Sequence, residues 1–394
     1  MIKKRYAHAL KHLASIILPW FDTLVVQFKK KPENHQMVLI VRLDAIGDFV
    51  LWLDTAQKLF QYYKKQGKTV VLLGNKAWAN WANELAIADE VWSLEPAKFM
   101  KNPRYRANWV RRIRGAGFGT VVHPTFSREL LTGDSIVRTS GAKYRIGSEG
   151  DCTNTPPWLK HWTDHWYTQL VNAVAMPQME LRHHAEFMQG LTGSKHPAVI
   201  PQLLPDSKID RSIFPTQPYA VLFPSASWSG RVWPASRFVE IGRRLIATGR
   251  QVVLAGGPGD AEFTNPVAEG LEGTALNLVG KTSLPQLSEL LRLADLTITN
   301  ETSAVHIGAA VQARLLCILG GGHYGRFAPY DVDVLAEGQK LPRTVSQKMD
   351  CFGCNWRCIY ACATDAPVRC IDNIGVEQVW AQAIELLHEP HAQN

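Results

Sequence analysis

Nowhere in these 394 residues is there an apolar run long enough to cross a bilayer comfortably. The longest, Leu13 to Phe28, is broken by Pro19 and Asp22, and it lacks the small-residue cleavage site that ends a secretory signal. The P-loop pattern is missing too. GGPGD at Gly256 to Asp260 does not have the spacing of the dinucleotide fingerprint, so ATPase and dehydrogenase chemistry lose support. There is no RNA- or DNA-binding motif, no short-period repeat and no low-complexity segment. Acids are scarce where bases crowd: residues 1–31 set seven bases against Asp22 alone, and Lys98 to Arg114 holds no acid. The formal charge of +8 is thus concentrated in patches, which suits an anionic surface or substrate better than nucleic acid. Seven cysteines in a chain without a secretion signal are expected to stay reduced, in a cytoplasmic setting.

What is present reads as two similar α/β halves. MVLIVR at Met37 to Arg42 has the apolar density of a buried parallel strand and opens into a Gly-Asp turn at Gly47 and Asp48. Further strands are expected at Thr69 to Leu73, Val91 to Leu94 and Thr120 to His123, with helical stretches between the first of them. A proline-rich stretch from Pro197 to Pro218 reads as the linker. The pattern then restarts with strands at Tyr219 to Phe223, Gln251 to Ala255, Leu276 to Val279 and Leu315 to Leu319. The expected architecture is two Rossmann-like domains facing each other across a cleft. An N-terminal extension covers 1–36, the first domain 37–205 and the second 206–394. The extension's basic, aromatic and apolar composition fits either the interface of an anionic membrane or a helix packed on the body of the protein.

The stretch LADLTITNETSAVHIG, Leu293 to Gly308, organises the second half. A buried strand running into a polar turn and a helix start makes an anion seat, because first-turn amides have no partner within the helix and carry the positive end of its dipole. The same residues also fit an ordinary capped helix. Three loops fall on the same edge of the sheet. They offer Ser225, Ser227 and Arg231; Gly256, Gly257 and Asp260; and Thr302, Ser303 and His306. Hydroxyls, close-approach glycines, a helix start and a guanidinium suited to bidentate phosphate contact suggest a nucleotide-diphosphate pocket. In the first half, Asp48 at a strand end could deprotonate an attacking hydroxyl or cap its helix, with Asp44 as a second candidate. His323, inside GGGHYGRF, could touch donor or acceptor. His183 and His184 read as surface or core residues, and Trp158, Trp162 and Trp166 as a packed helix face.

VLIVRLDAIGDFVL, FPSASWSGRVWP, LVGKTSLPQLSELLRLADLTITNETSAVHIGAAV and CIDNIGVEQV, in this order, resemble the motifs of glycosyltransferase family nine, the heptosyltransferases of the lipopolysaccharide inner core. The resemblance implies a GT-B fold, with acceptor on the first domain and activated sugar on the second, and inverting transfer without a metal or other cofactor. It makes Asp48 the general base, sets Arg231 where the family usually has lysine, and matches Ser227 to a diphosphate-contacting hydroxyl. Thr302, Ser303 and His306 fall on the family's Asp-Thr-Gly-x-x-His motif, with Glu301 in place of its Asp and Ser303 in place of its Gly. The implied donor is ADP-heptose or a similar nucleotide sugar. The implied acceptor is a saccharide or glycolipid met at the cytoplasmic face of the inner membrane, with Arg104, Arg106, Arg111 and His323 as acceptor contacts. A protein acceptor, as in autotransporter-modifying relatives, and a non-catalytic nucleotide-sugar scaffold are the alternatives.

Cys351, Cys354, Cys358 and Cys370 have spacing open to a structural zinc or iron. Some autotransporter-modifying members of the resembling family bind iron. A set of packed thiols is the other reading, since Cys354, Cys358 and Cys362 would share one face of a helix.

Overall fold

The computed structural model describes residues 14–15, 17–27, 34–174, 178–360 and 362–389. The chain divides into two units, one of residues 1–49, 55–176 and 183–196, the other of 50–54, 177–182 and 197–394. The basic clusters at 1–13 and 28–33 lie outside the described residues.

The first unit holds a sheet of β1 (Asn34–Arg42), β2 (Thr69–Asn75), β3 (Glu90–Leu94), β4 (Phe118–His123), β5 (Tyr144–Ser148) and β6 (Gln169–Val171). Their spatial order is β3-β2-β1-β4-β5-β6, with every pairing parallel. Helices cover both faces of such a sheet, which is why Val38, Leu39, Ile40 and Val41 are all buried instead of alternating. The second unit repeats the plan with β7 (Tyr219–Phe223), β8 (Gln251–Leu254), β9 (Leu276–Asn277), β10 (Leu296–Asn300), β11 (Leu315–Ile318) and β12 (Arg343–Val345). Its order is β12-β11-β10-β7-β8-β9, again all parallel. Strand order therefore reverses between β1 and β4 in one unit and between β7 and β10 in the other. Open parallel sheets bind ligands at such switch points, outside the carboxyl ends of the strands.

By contacts the second unit takes in 50–54 and 177–182 and then runs on from residue 197, where a division after 205 was expected. Residues 197–205 are tied to the second unit: Ala198 N donates to Asp333 Oδ2 (2.8 Å), Leu203 N to Ala310 O (2.9 Å) and Arg292 Nη2 to Leu203 O (2.6 Å). The tryptophan expectation also fails in detail. The helix Pro157–Asp164 leaves Trp158 and Trp162 exposed, while Trp166 is buried beyond its end.

Residues 17–26 are helical. Leu18, Val25 and Val26 pack on the core of the first unit, and on the same inward side Asp22 meets Arg106 of the helix Pro103–Ala116. Arg106 donates from Nε to Asp22 Oδ1 (2.7 Å), from Nη2 to Asp22 Oδ2 (2.6 Å) and Ser135 Oγ (2.7 Å), and from Nη1 to Leu131 O (2.7 Å). Both members of the pair are completely buried. Arg106 is thus corrected from an acceptor contact to a core residue, its fork filled by protein groups. Arg104 and Arg111, on the same helix, are exposed.

Candidate functional site

In the second unit, neighbouring β7 and β10 deliver two short segments to the same switch point. Asn300, fully buried at the end of β10, clamps them: its Nδ2 donates to Ser225 O (3.2 Å) and its Oδ1 accepts from Trp233 N (3.1 Å). Arg231, in a single helical turn at Ser229–Arg231, then reaches across. Its Nη2 donates to Glu301 O (2.7 Å), its Nη1 donates to Ser227 Oγ (3.2 Å), and its guanidinium lies 4.9 Å from the centre of the Trp356 ring. Thr302 is the N-cap of the helix Ser303–Ala310, and its Oγ1 accepts from Ala304 N (3.2 Å). A fixed cation, two hydroxyl-bearing loops and a capped helix start thereby converge, as anion binding requires.

Glu301 stands beside this cation, with Oε2 3.6 Å from Arg231 Nη2. Neither carboxyl oxygen has a hydrogen-bond partner among the described residues. Burial pushes its pKa up to about 7, with Arg231 opposing the shift. A folded carboxyl that holds its proton longer than the unfolded one stabilises the protein fully below about 4.5 and loses that contribution as pH rises through about 7. Glu301→Gln is therefore expected to raise the melting temperature by several degrees at pH 8 and to make no difference at pH 4.5. Equal shifts at both pH values would mean that Glu301 is not titrating in this range.

His306 is buried, and its Nδ1 lies 2.8 Å from Tyr330 Oη. Burial, reinforced by Arg231, pushes its pKa down to about 3, so the ring is neutral near pH 7 and serves as a hydrogen-bonding group rather than a cation. His323 is held by Asn355 Oδ1 (2.6 Å from Nε2) and by Trp356 Nε1, which donates to its Nδ1 (3.2 Å). Burial takes its pKa to about 4. Gly256, Gly257 and Asp260 form their own turn after β8, with Gly257 N donating to Asp260 Oδ2 (2.7 Å). Asp260 thus closes its loop. Gly256 approaches it so closely that an added Cβ would lie 3.0 Å from the Asp260 side chain.

Sequence reasoning passed over Trp356 and Asn355. Both have positive φ, 57° and 50°, an unusual backbone for residues other than glycine and one that clusters at functional sites. The glycines of GGGH explain the packing: a Cβ on Gly322 would lie 2.2 Å from the Trp356 ring. Residues 351–360 form turns and bends rather than a helix, which removes the shared cysteine face. The Cys370 thiol is pushed up by burial, with Cys351, Cys354 and Cys358 near enough to add to the shift. Among the described residues, however, no three histidine, cysteine or carboxylate side chains gather as they would around a metal.

In the first unit, the end of β1 carries a second cluster. Arg42 is buried, with Nε 2.7 Å from Asp44 Oδ2 and Nη2 3.3 Å from His184 Nε2. Thr125, just past β4, donates to the same Asp44 oxygen (3.1 Å). Asp48 lies in the first turn of the helix Ile46–Lys64, half-buried, and the helix cap is Ala45. His183 and His184 are both buried, and His183 stacks on Phe126 at 3.5 Å.

A family model described as glycosyltransferase family 9 (heptosyltransferase) matches residues 134–356, more than half of the chain. Lipopolysaccharide heptosyltransferase 3 of Escherichia coli is 30% identical over 122 residues, which make up 30% of this chain and 36% of that protein. Lipooligosaccharide heptosyltransferase 2 of Campylobacter jejuni is 25% identical over 177 residues, 43% of this chain and 51% of that protein. The chain thus spans about a third to a half of the length of these curated relatives. Among solved structures, ADP-heptose heptosyltransferase II of E. coli aligns at a TM-score of 0.63 and 16% identity, covering 89% of this chain and 98% of that one. A family 9 glycosyl transferase from Veillonella parvula also aligns at 0.63 and 16%, covering 91% and 99%. The shared fold is the GT-B type with two parallel-sheet domains.

Proposed function

The chain belongs to glycosyltransferase family 9, and from that premise we propose that it transfers a sugar, heptose from an ADP-heptose-like donor, to a hydroxyl of a lipopolysaccharide-core-type acceptor. The reaction inverts the anomeric carbon. Asp48 takes the proton from the acceptor hydroxyl, whose oxygen attacks that carbon from the face opposite the nucleotide. The bond to the diphosphate breaks, and the diphosphate leaves with the electron pair. The observation that carries this reading is the convergence of Arg231, Ser227 and Thr302 at the switch point of the second sheet, beside a helix start. Negative charge growing on the leaving diphosphate would meet a positioned cation and amide and hydroxyl donors, the arrangement that lowers barriers most effectively.

Arg231 and Glu301 define the donor side. The guanidinium holds both loop and turn, so it is already in place when the diphosphate arrives. Glu301, its pKa raised by burial to about 7 and its carboxyl without a hydrogen-bond partner among the described residues, offers a donor and an acceptor to a sugar hydroxyl. The acceptor is read as a glycolipid met at the cytoplasmic face of the inner membrane, with Arg104 and Arg111 available to its phosphates.

The test is a thermal-shift series with ADP, GDP, UDP, CMP and ADP-heptose, because a ligand that binds only the folded state raises its melting temperature. ADP and ADP-heptose are expected to shift it and the others to leave it unchanged. A selective shift with another nucleotide would overturn the donor assignment. No shift with any of them would overturn the transferase reading.

A further inference from the structure

The N-terminal helix is turned inside out for a solvent-exposed helix. Its one acid, Asp22, is buried against Arg106, while Ile17, Trp20 and Leu24 are 52%, 68% and 64% exposed. At i, i+3 and i+7 these three make one outward stripe. Beside it lies a pocket of about 460 Å³ lined by Trp20, Arg138, Arg145, Trp162, His165 and Trp166, with no acid in its lining. The two arginines are fixed. Arg138 donates to Pro19 O (2.8 Å) and sits 4.9 Å from the Trp166 ring centre, and Arg145 donates to Trp166 O (2.6 Å) and Ala142 O (2.6 Å). Exposed tryptophans beside fixed cations are the side chains that lodge at the headgroup level of a bilayer.

We infer that the stripe Ile17–Trp20–Leu24 and the adjoining Trp/Arg pocket form a docking face for an anionic membrane, with the stripe entering the interface and the pocket taking a lipid phosphate. The charge argues for this occupant over a second copy of the chain. The pocket's lining carries two arginines and no acid, and the sequence flanking the helix adds Lys3, Lys4, Arg5, Lys11 and Lys29 to Lys31, so two such faces brought together would repel. No helix among the described residues is long and apolar enough to cross a membrane, so the contact is interfacial. The inference deepens the proposed reading, from which it takes the reason for meeting a membrane. Its geometry lies wholly within the first unit and does not depend on the donor site.

The full chain would be floated with vesicles of phosphatidylcholine alone or mixed with phosphatidylglycerol. Binding is expected with the anionic vesicles only and should weaken as salt rises. Combining Ile17→Ser, Trp20→Ser and Leu24→Ser should lower it roughly tenfold or more, with the circular dichroism and the nucleotide thermal shift unchanged. Failure of the native chain to float with anionic vesicles would overturn the inference, as would a triple variant that floats equally well. So would a native dimer, seen by light scattering, that the triple variant dissolves. Vesicle binding without any nucleotide shift would support the docking face and sink the proposed function; nucleotide shift without vesicle binding would do the reverse.

Discussion

Asp22→Ala is expected to destabilise the protein by about 3–5 kcal/mol, the range for removing one partner of a buried ion pair. The reason is what remains. Arg106 stays fully buried, with Leu131 O and Ser135 Oγ as its acceptors and no carboxylate to balance its charge. An unpaired buried guanidinium carries nearly its whole desolvation penalty, whereas an intact pair offsets it through two parallel charge-assisted bonds. Asp22→Asn keeps part of the hydrogen bonding and should lose less. The pair of changes Asp22→Leu with Arg106→Met removes both charges and should recover most of the stability lost by alanine. Urea denaturation measures all three. A midpoint for Asp22→Ala within experimental error of the native chain would show that residues 17–26 are not held against the first unit in solution.

That ion pair also shows where the sequence could be read and where it could not. A base inside an acid-free run, Lys98 to Arg114, looks like every other base in the run, and only the helix register separates exposed Arg104 and Arg111 from buried Arg106. Its partner lies 84 positions earlier, in a segment whose composition pointed to a membrane or a packed helix alike. The central strands were legible because burial on both faces forces unbroken apolar runs, as in MVLIVR. β5, β6 and β12 were not anticipated, being three to five residues long and partly exposed. The turn after β10 was legible because a strand, a polar turn and a helix start leave a local pattern, and Ser227, Arg231 and Thr302 do lie together there. The contribution of Trp356 was hidden for a different reason. It sits among cysteines in the sequence, whereas its place beside Arg231 comes from a left-handed backbone packed against a glycine run.

Asp48→Ala is expected to lower turnover by about two to four orders of magnitude, the usual contribution of a general base, while leaving ADP affinity nearly intact. The first-turn position matters. Asp48 is half-buried in the first turn of the helix Ile46–Lys64, just past the end of β1. β1 borders the switch point of its sheet, the place where an acceptor would be bound. Asp44 is the natural rival, four residues earlier and closer to the strand. Its Oδ2 is engaged by Arg42 at 2.7 Å and Thr125 at 3.1 Å, which ties it to the end of β1. Asp44→Ala is therefore expected to act on stability, by removing the carboxylate that joins Arg42 to Thr125, and Asp48→Ala on the chemical step. Single-turnover rates with saturating donor separate the two, because they exclude product release and are corrected for the fraction of folded protein. A large loss in Asp44→Ala with normal rates in Asp48→Ala would exchange the roles, and normal rates in both would place the base elsewhere.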